Sequence, residues 1–241
     1  MFVFWIWKWG IILSDNRLMN GLIEIFLWIS LGIDILFSLW YFNIINKYRS
    51  GWNNLKSNKL NASFKTIVSV VIAARNEEVA ILRCVKSVLD QDYPEHLVEV
   101  IVVDDHSTDL TYSLLKEIDS SRLKIILQKE GFQGKRAALD LAIKNAEGEL
   151  ILCTDADCWV EKGWIASMVT EYESSGAKIL LGPVQFKSSK KNLLTVFQEM
   201  DFMTMIGIAG GSASNKSAHV CNGANLAYVK DGYNEIAPFK N

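Results

Sequence analysis

The sequence has no C-x-x-C pair and no histidine cluster to accompany its four cysteines, Cys84, Cys153, Cys158 and Cys221. Zinc sites draw on such pairs, so a zinc centre is not expected. Four unpaired thiols in a mid-sized domain fit a reducing compartment and read as small buried hydrophobes. Positive charge is not in excess either. The net charge is −2, which leaves no basic surface for nucleic acid. Internal repeats and low-complexity tracts are missing. So is a small-x-small cleavage site after the first long apolar run, which is itself too long for the core of a secretory signal.

What is present begins with that run. Leu22 to Ile45 reads LIEIFLWISLGIDILFSLWYFNII. A helix of this length crosses a ~30 Å hydrocarbon layer with some tilt. Glu24 lies near one end, within reach of headgroups. Asp34 lies near the middle, where a charge costs about 2.5–3.5 kcal/mol, so it is expected to be protonated or to face another helix. The alternative is a buried or interfacial helix. Lys47, Arg49, Lys56 and Lys59 follow the run, against Lys8 and Arg17 before it. The positive-inside rule then gives a single-pass membrane protein with its large C-terminal part in the cytoplasm. The organisation expected is an interfacial N-terminal segment (1–21), a transmembrane helix (22–46), a polar linker (47–65) and one aqueous domain (66–241).

Within that domain, elements alternate. Ile67–Ala73, Val98–Val103, Leu123–Leu127, Glu149–Thr154 and Lys178–Val184 read as strands. The apolar, β-branched character of the first two is that of strands buried on both faces. Glu77–Asp90, Asp109–Ile118, Lys135–Ala146 and Glu161–Ser174 read as helices. Alternation of this kind predicts an α/β fold, with a mostly parallel, Rossmann-like sheet flanked by helices. Ligands of such sheets bind beyond the carboxyl ends of the strands. Asn192–Ile208 reads as a further, amphipathic helix, whose Met and Phe residues are expected in the core, the alternative being a ligand groove. Asp231 and Glu235 read as part of a surface turn.

The strand ends carry the chemistry. After the first come Ala73, Ala74, Arg75, Asn76 and Glu77. The alanines leave room for a ligand, and Arg75 and Glu77 offer opposite charges. A helix start capped by Asn76 is the plainer alternative. After the second come Asp104 and Asp105, adjacent carboxylates whose repulsion a cation or hydrogen-bond donors must offset. A carboxylate accepts only, which suits a nucleobase ring N–H. A turn with Ser107 or Thr108 as cap explains the following residues but not the pair. After the fourth comes Thr154-Asp155-Ala156-Asp157. Carboxylates at i and i+2 can converge on Mg2+ or Mn2+, which often takes one or two protein carboxylates and completes its shell with phosphates. A surface turn is the default for Asp-x-Asp alone. Finally, Lys135 and Arg136 sit in a helix's first turn after Gly134. Cations are disfavoured there, and an anionic ligand would relieve the mismatch, although two solvated side chains would also fit.

Together, VSVVIAARNEE (Val68–Glu78), EVIVVDDHSTD (Glu99–Asp109), GKRAAL (Gly134–Leu139), GELILCTDADC (Gly148–Cys158) and CNGANLAY (Cys221–Tyr228) resemble the inverting family 2 glycosyltransferases of the GT-A fold. The resemblance runs from Val68 to about Phe239. It implies transfer of a sugar from a nucleotide-diphospho-sugar donor to the hydroxyl of a carbohydrate or lipid-linked acceptor, with inversion and assisted by the metal. Ala73, Arg75, Glu77, Asp104, Asp105, Lys135 and Asp155 would be donor-binding residues, with Asp104 accepting from the base. Asp157, with Asp155, would hold the metal. Asn222, Gly223, Ala224 and Asn225 would lie on the acceptor side. The catalytic base of the family belongs to an acidic run soon after the segment matching Gly232–Phe239, so it is expected beyond Asn241. On that reading the chain is a truncated enzyme, or a non-catalytic module that binds a nucleotide sugar or a partner at the membrane. An unrelated phosphotransfer or nucleotidyltransferase domain built on Asp155 and Asp157 is the remaining alternative.

Overall fold

The computed structural model describes residues 16–55, 63–188, 192–217 and 220–236. Most of the interfacial N-terminal segment, the middle of the linker and the last five residues lie outside these ranges.

Six strands form one sheet: β1 (Val68–Ala74), β2 (Val98–Asp104), β3 (Leu123–Leu127), β4 (Leu150–Cys153), β5 (Ile179–Leu181) and β6 (Leu226–Val229). Their order is β3-β2-β1-β4-β6-β5. β1 is parallel to both β2 and β4, and β2 to β3, whereas β6 runs antiparallel to β4 and to β5. The mostly parallel α/β sheet expected from the alternation is therefore the architecture observed.

The sheet is covered on both faces, which is why β1 and β2 are apolar almost throughout. Val68, Val70 and Ile72 point to one side, where Ile81, Val85, Val88, Ile165 and Val169 pack on them. Those residues come from α2 (Ile81–Leu89) and α5 (Trp164–Ser175). Val71, Ile101 and Val103 point to the other side, against Ala138, Ala142 and Ile143 of α4 (Lys135–Lys144). Full burial of each such aliphatic side chain contributes about 1.5–3 kcal/mol. Polar residues enter the interior as well, and Ser69, fully buried, donates to Glu99 Oε1 at 2.5 Å and accepts from Gly148 N at 2.7 Å. A short helix, α3 (Thr111–Lys116), follows β2.

Outside the sheet, α1 (Asn16–Asn53) is a single 38-residue helix. From Met19 to Asn53 it is long and apolar enough to cross a membrane, and none of its most apolar stretch is buried in the protein. Asp34 is exposed on it and so faces no other described helix. The helix continues to Asn53, into the stretch read as linker. Polar composition hid this continuation, which packing sustains. Gly51 and Gly211 let α1 and α6 (Leu193–Ser214) approach backbone to backbone. A Cβ on Gly211 would stand 2.2 Å from Tyr48 O, and one on Gly51 would stand 2.2 Å from Gly211 O. Asn215 Nδ2 adds a 2.8 Å bond to Lys47 O.

Two expectations need correction. The Met and Phe residues of α6 are not core: Leu193, Phe197, Met200 and Met203 are all more than 60% exposed. Composition shows that such a face wants an apolar surrounding but not which one. The stretch holding Asp231 and Glu235 is helix α7 (Lys230–Ile236), not a turn. It is held by stacking of Tyr233 on Tyr228, by a 3.1 Å bond from Tyr233 Oη to Asp140, and by Lys230 Nζ on the Ala146 carbonyl.

Candidate active site

The loops after β1 and β2 are laced to one another. Asn76, with φ 56°, caps no helix. Instead its Oδ1 accepts from Thr108 N at 2.8 Å, while its own N–H donates to Ser107 Oγ at 3.0 Å. Glu77 N donates to Thr111 Oγ1 at 2.7 Å, and Glu78 N to Asp109 Oδ2 at 3.1 Å. Ser107 and Thr108 thus serve the β1 loop rather than capping α3, and α2 starts only at Ile81. The lacing fixes Arg75 and Glu77 against the end of β2.

Asp105 is the hub. It is 3% exposed. Its Oδ2 accepts from Gly134 N at 2.8 Å and lies 3.8 Å from Arg75 Nη1, and its Oδ1 lies 3.1 Å from His106 Nδ1. These are the donors and cations that the Asp104–Asp105 pair demanded. Gly134 has φ +95°, a conformation open to glycine, and this turns its N–H toward the carboxylate. Asp104 is buried beside it. Its Oδ2 accepts from Ser107 N at 3.3 Å, whereas its Oδ1 has no partner. Gln128 Nε2, just past β3, and Thr154 Oγ1, just past β4, are buried and unpaired as well. Each such orphan costs about 1–3 kcal/mol unless something binds it.

After β4, Asp155 Oδ1 pairs with Lys135 Nζ at 2.5 Å. The carboxylate supplies the anion that the first turn of α4 was missing. Beneath the loop, the Cys84 thiol donates to Asp155 O at 3.4 Å. Asp157 is exposed, and the ion pairs among the described residues leave it without a cation. No group of three metal-ligating side chains occurs among the described residues, so any cation here would rely on one or two carboxylates. That donor set suits Mg2+ or Mn2+, whose remaining positions go to water and phosphate.

These strand ends enclose a cavity of about 300 Å³ lined by Ala73, Ala74, Arg75, Glu77, Asp105, Gly134, Lys135, Asp155, Ala156 and Asp157. A larger, more open hollow along α2, at Arg83, Lys86 and Asp90, gathers no comparable set of groups. The cavity walls hold four carboxylates against two cations, an excess of negative charge. Burial, then Asp157, Asp109 and Asp155, hold the Glu77 carboxyl above its ordinary range, the signature of a carboxylate cluster short of positive charge. Ala73 and Ala74 line it as the sequence led one to expect, while Gly134 and Ala156 were not singled out as site residues; the small size of all four keeps the walls close to backbone. Asp104 lies behind the lining. The turn Asn222–Asn225 is not part of this cavity either. Asn225 there is tied up within the protein, accepting from Trp164 Nε1 at 2.9 Å and donating to Pro183 O at 2.8 Å.

The cysteines divide as their surroundings dictate. Cys84 and Cys153 are buried, Cys158 is half-buried and Cys221 is exposed, all as free thiols. Burial, then nearby Cys158, Asp157 and Asp155, push Cys84 up to about 12; burial first also brings Cys153 and Cys158 to about 11. At pH 8 these three hold roughly one thiolate in a thousand or fewer. Iodoacetamide at pH 8, followed by mass spectrometry, is expected to label Cys221 first and to reach Cys84 and Cys153 only on unfolding.

Known proteins share both the sequence and this architecture. The family described as Glycosyl transferase family 2 matches residues 69–236. Glycosyltransferase AglE of Haloferax volcanii is 28% identical over 176 residues, covering 72% of this chain and 56% of that protein. Probable glycosyltransferase YdaM of Bacillus subtilis is 31% identical over 151 residues, 60% of this chain and 36% of that one. Beta-monoglucosyldiacylglycerol synthase of a Nostoc species is 30% identical over 128 residues, 52% and 26% respectively. The chain therefore spans about half or less of the length of these relatives. Among solved structures, a mannosyltransferase of Pyrobaculum calidifontis, in complex with GDP-Man and Mn2+, superposes with a TM-score of 0.64 at 22% identity, covering 85% of this chain and 57% of that one. TarS of S. aureus gives 0.51 at 21%, covering 70% and 48%. These structures share the GT-A fold, and with the family match over more than half its length, the chain belongs to glycosyl transferase family 2.

Proposed function

We propose that this chain binds a nucleotide-diphospho-sugar at the ends of β1, β2 and β4 and takes part in transferring the sugar to an acceptor hydroxyl with inversion. The observation that carries this is the convergence of Arg75, Glu77, Asp105, Lys135, Asp155 and Asp157 on one cavity, with the unpaired Asp104 Oδ1 behind it. Asp104 Oδ1 would accept a ring N–H of the base, and Gln128 Nε2, one strand over, would donate to a base carbonyl. Arg75 and Lys135 would meet the phosphates. Asp157, with Asp155, would hold Mg2+ or Mn2+, which when bound stabilises negative charge on the departing diphosphate. In the transfer, the acceptor oxygen bonds to the anomeric carbon as the bond to the diphosphate breaks. The leaving group takes the electron pair, and a base takes the acceptor's proton.

Calorimetry with UDP- and GDP-sugars, with and without Mn2+, tests this reading. Metal-dependent binding of one of them is the expected result, and no binding of any would refute it. Asp104→Ala is expected to weaken that binding by about 1.5–3 kcal/mol, a roughly 10- to 150-fold rise in Kd. If the loss is equal for uracil, guanine and other bases, Asp104 does not read the base.

The membrane is the second part of the proposal. α1 would cross it once, and Lys47 and Arg49 just beyond the apolar stretch favour a cytoplasmic domain. A lipid-linked acceptor is in keeping with the relative named for diacylglycerol glucosylation. The full chain should stay in the membrane pellet through alkaline carbonate extraction; release into the supernatant would remove α1 as an anchor.

A further inference from the structure

We propose that Phe132 stacks on the face of the donor's nucleobase and supplies affinity that does not depend on which base is bound. The inference rests on the reading of the β2 and β3 ends as the place where the base's edge is held. That edge meets two buried, unpaired groups, Asp104 Oδ1 and Gln128 Nε2. Gln128 Oε1 is already engaged, accepting from Lys129 N at 3.2 Å, so the amide presents its donor end. A planar ring held by its edge still has two apolar faces turned to water. Hydrogen bonds at the edge do nothing to cover them.

The loop from Gln128 to Gly134 is shaped to cover one face. Both of its ends are fixed on the acidic pair: Gln128 N donates to Asp104 O at 2.9 Å, and Gly134 N to Asp105 Oδ2 at 2.8 Å. The loop therefore starts and finishes beside Asp104 and Asp105 and arches out between them. A turn closed by Phe132 N on Lys129 O, at 3.2 Å, forms its crest. Gly131 has φ +85° and Gly134 φ +95°, and a Cβ at either would meet nothing within 4 Å. Glycine is thus required there by the direction of the chain and not by crowding. The two reversals bracket Phe132 and Gln133. They set an aromatic ring on the crest that is 61% exposed and paired with no other ring among the described residues. Its loop neighbours Lys129, Glu130 and Gln133 are polar, so the loop itself offers the ring no apolar cover. Chain length allows the contact. Phe132 Cα is at most about 7–8 Å from Gly134 Cα, two residues on, and stacked rings lie about 4.5–7 Å apart between centroids. Every base has a π face, so the contact tolerates any of them, while Asp104 and Gln128 read the edge.

Titration calorimetry of the full chain with Mn2+ tests this, using UDP, GDP and ribose 5-diphosphate, which has no base. Phe132→Ala is expected to raise Kd for whichever of UDP and GDP the parent binds by about 5- to 150-fold. Phe132→Tyr keeps the ring and should stay within about threefold of the parent, with Phe132→Leu between the two. Ribose 5-diphosphate should bind the parent and Phe132→Ala equally. If Phe132→Ala binds the nucleotide as the parent does while Asp104→Ala is weakened, the stacking is overturned and the base site stands. An equal loss for ribose 5-diphosphate would also overturn it, because Phe132 would then only shape the loop that carries Lys135. If the parent binds neither UDP nor GDP, the base site itself is refuted and this inference with it.

Discussion

Asp157→Asn removes metal-dependent binding of the nucleotide sugar: in titrations with Mn2+, affinity falls by at least about 100-fold. The substitution keeps the side chain's volume and deletes its charge. Asp157 is exposed, so the fold tolerates the change within about 0.5 kcal/mol. It also has no cation of its own among the described residues, so its charge is available to a ligand. Binding without metal should stay as it was, which separates loss of the cation from loss of the pocket. Asp155→Asn makes a less clean test, since it also breaks the pair with Lys135. If Asp157→Asn bound the donor with undiminished Mn2+ dependence, the metal assignment would be lost.

The largest effect on stability belongs to the neighbouring loop. Asp105→Ala takes away a buried carboxylate and leaves Gly134 N–H, Arg75 and His106 without it. Arg75 and His106 remain in reach of water, so the cost is chiefly the lost charged acceptor of the Gly134 N–H, about 1.5–3 kcal/mol. For a domain of this size that lowers Tm by about 3–12 °C. Calorimetric melting in detergent reads it directly, and Asp105→Asn, which keeps one acceptor, should fall between. A Tm within 2 °C of the parent would mean that Asp105 does not organise the three loops. Donor binding should weaken along with stability, because Gly134 and Lys135 are positioned from Asp105.

The sheet could be read from the sequence because its central strands are buried on both faces, and unbroken β-branched runs have few other uses. The carboxylates could be read because they stand where those runs stop. Their division of labour could not. Asp104 and Asp105 are adjacent and chemically identical, yet one is saturated by Arg75, His106 and Gly134 while the other keeps an open oxygen. That difference is set by Gly134, 29 residues away. Asn76 looked like a helix cap because residue type does not reveal its positive φ. β6 escaped notice because LAYV is four residues long and holds little periodicity. The apolar residues of α6 were legible as such, but the pattern is the same whether protein or lipid receives it.

The antiparallel β6 also dictates the order in which the sheet can be completed. Among the described residues β5 pairs only with β6, and the outer edge of β4 does too. Both leave the ribosome before the 44 intervening residues, 182 to 225, that contain α6. At about 5–20 residues per second, a nascent chain leaves β5 without its partner for roughly 2–9 s, and the β4 edge, made 28 residues earlier, for roughly 4–14 s. Translation past Val229 is what closes the gap, so an inner strand is made after the edge strand β5, and assembly of this half of the sheet waits until α6 has been synthesised.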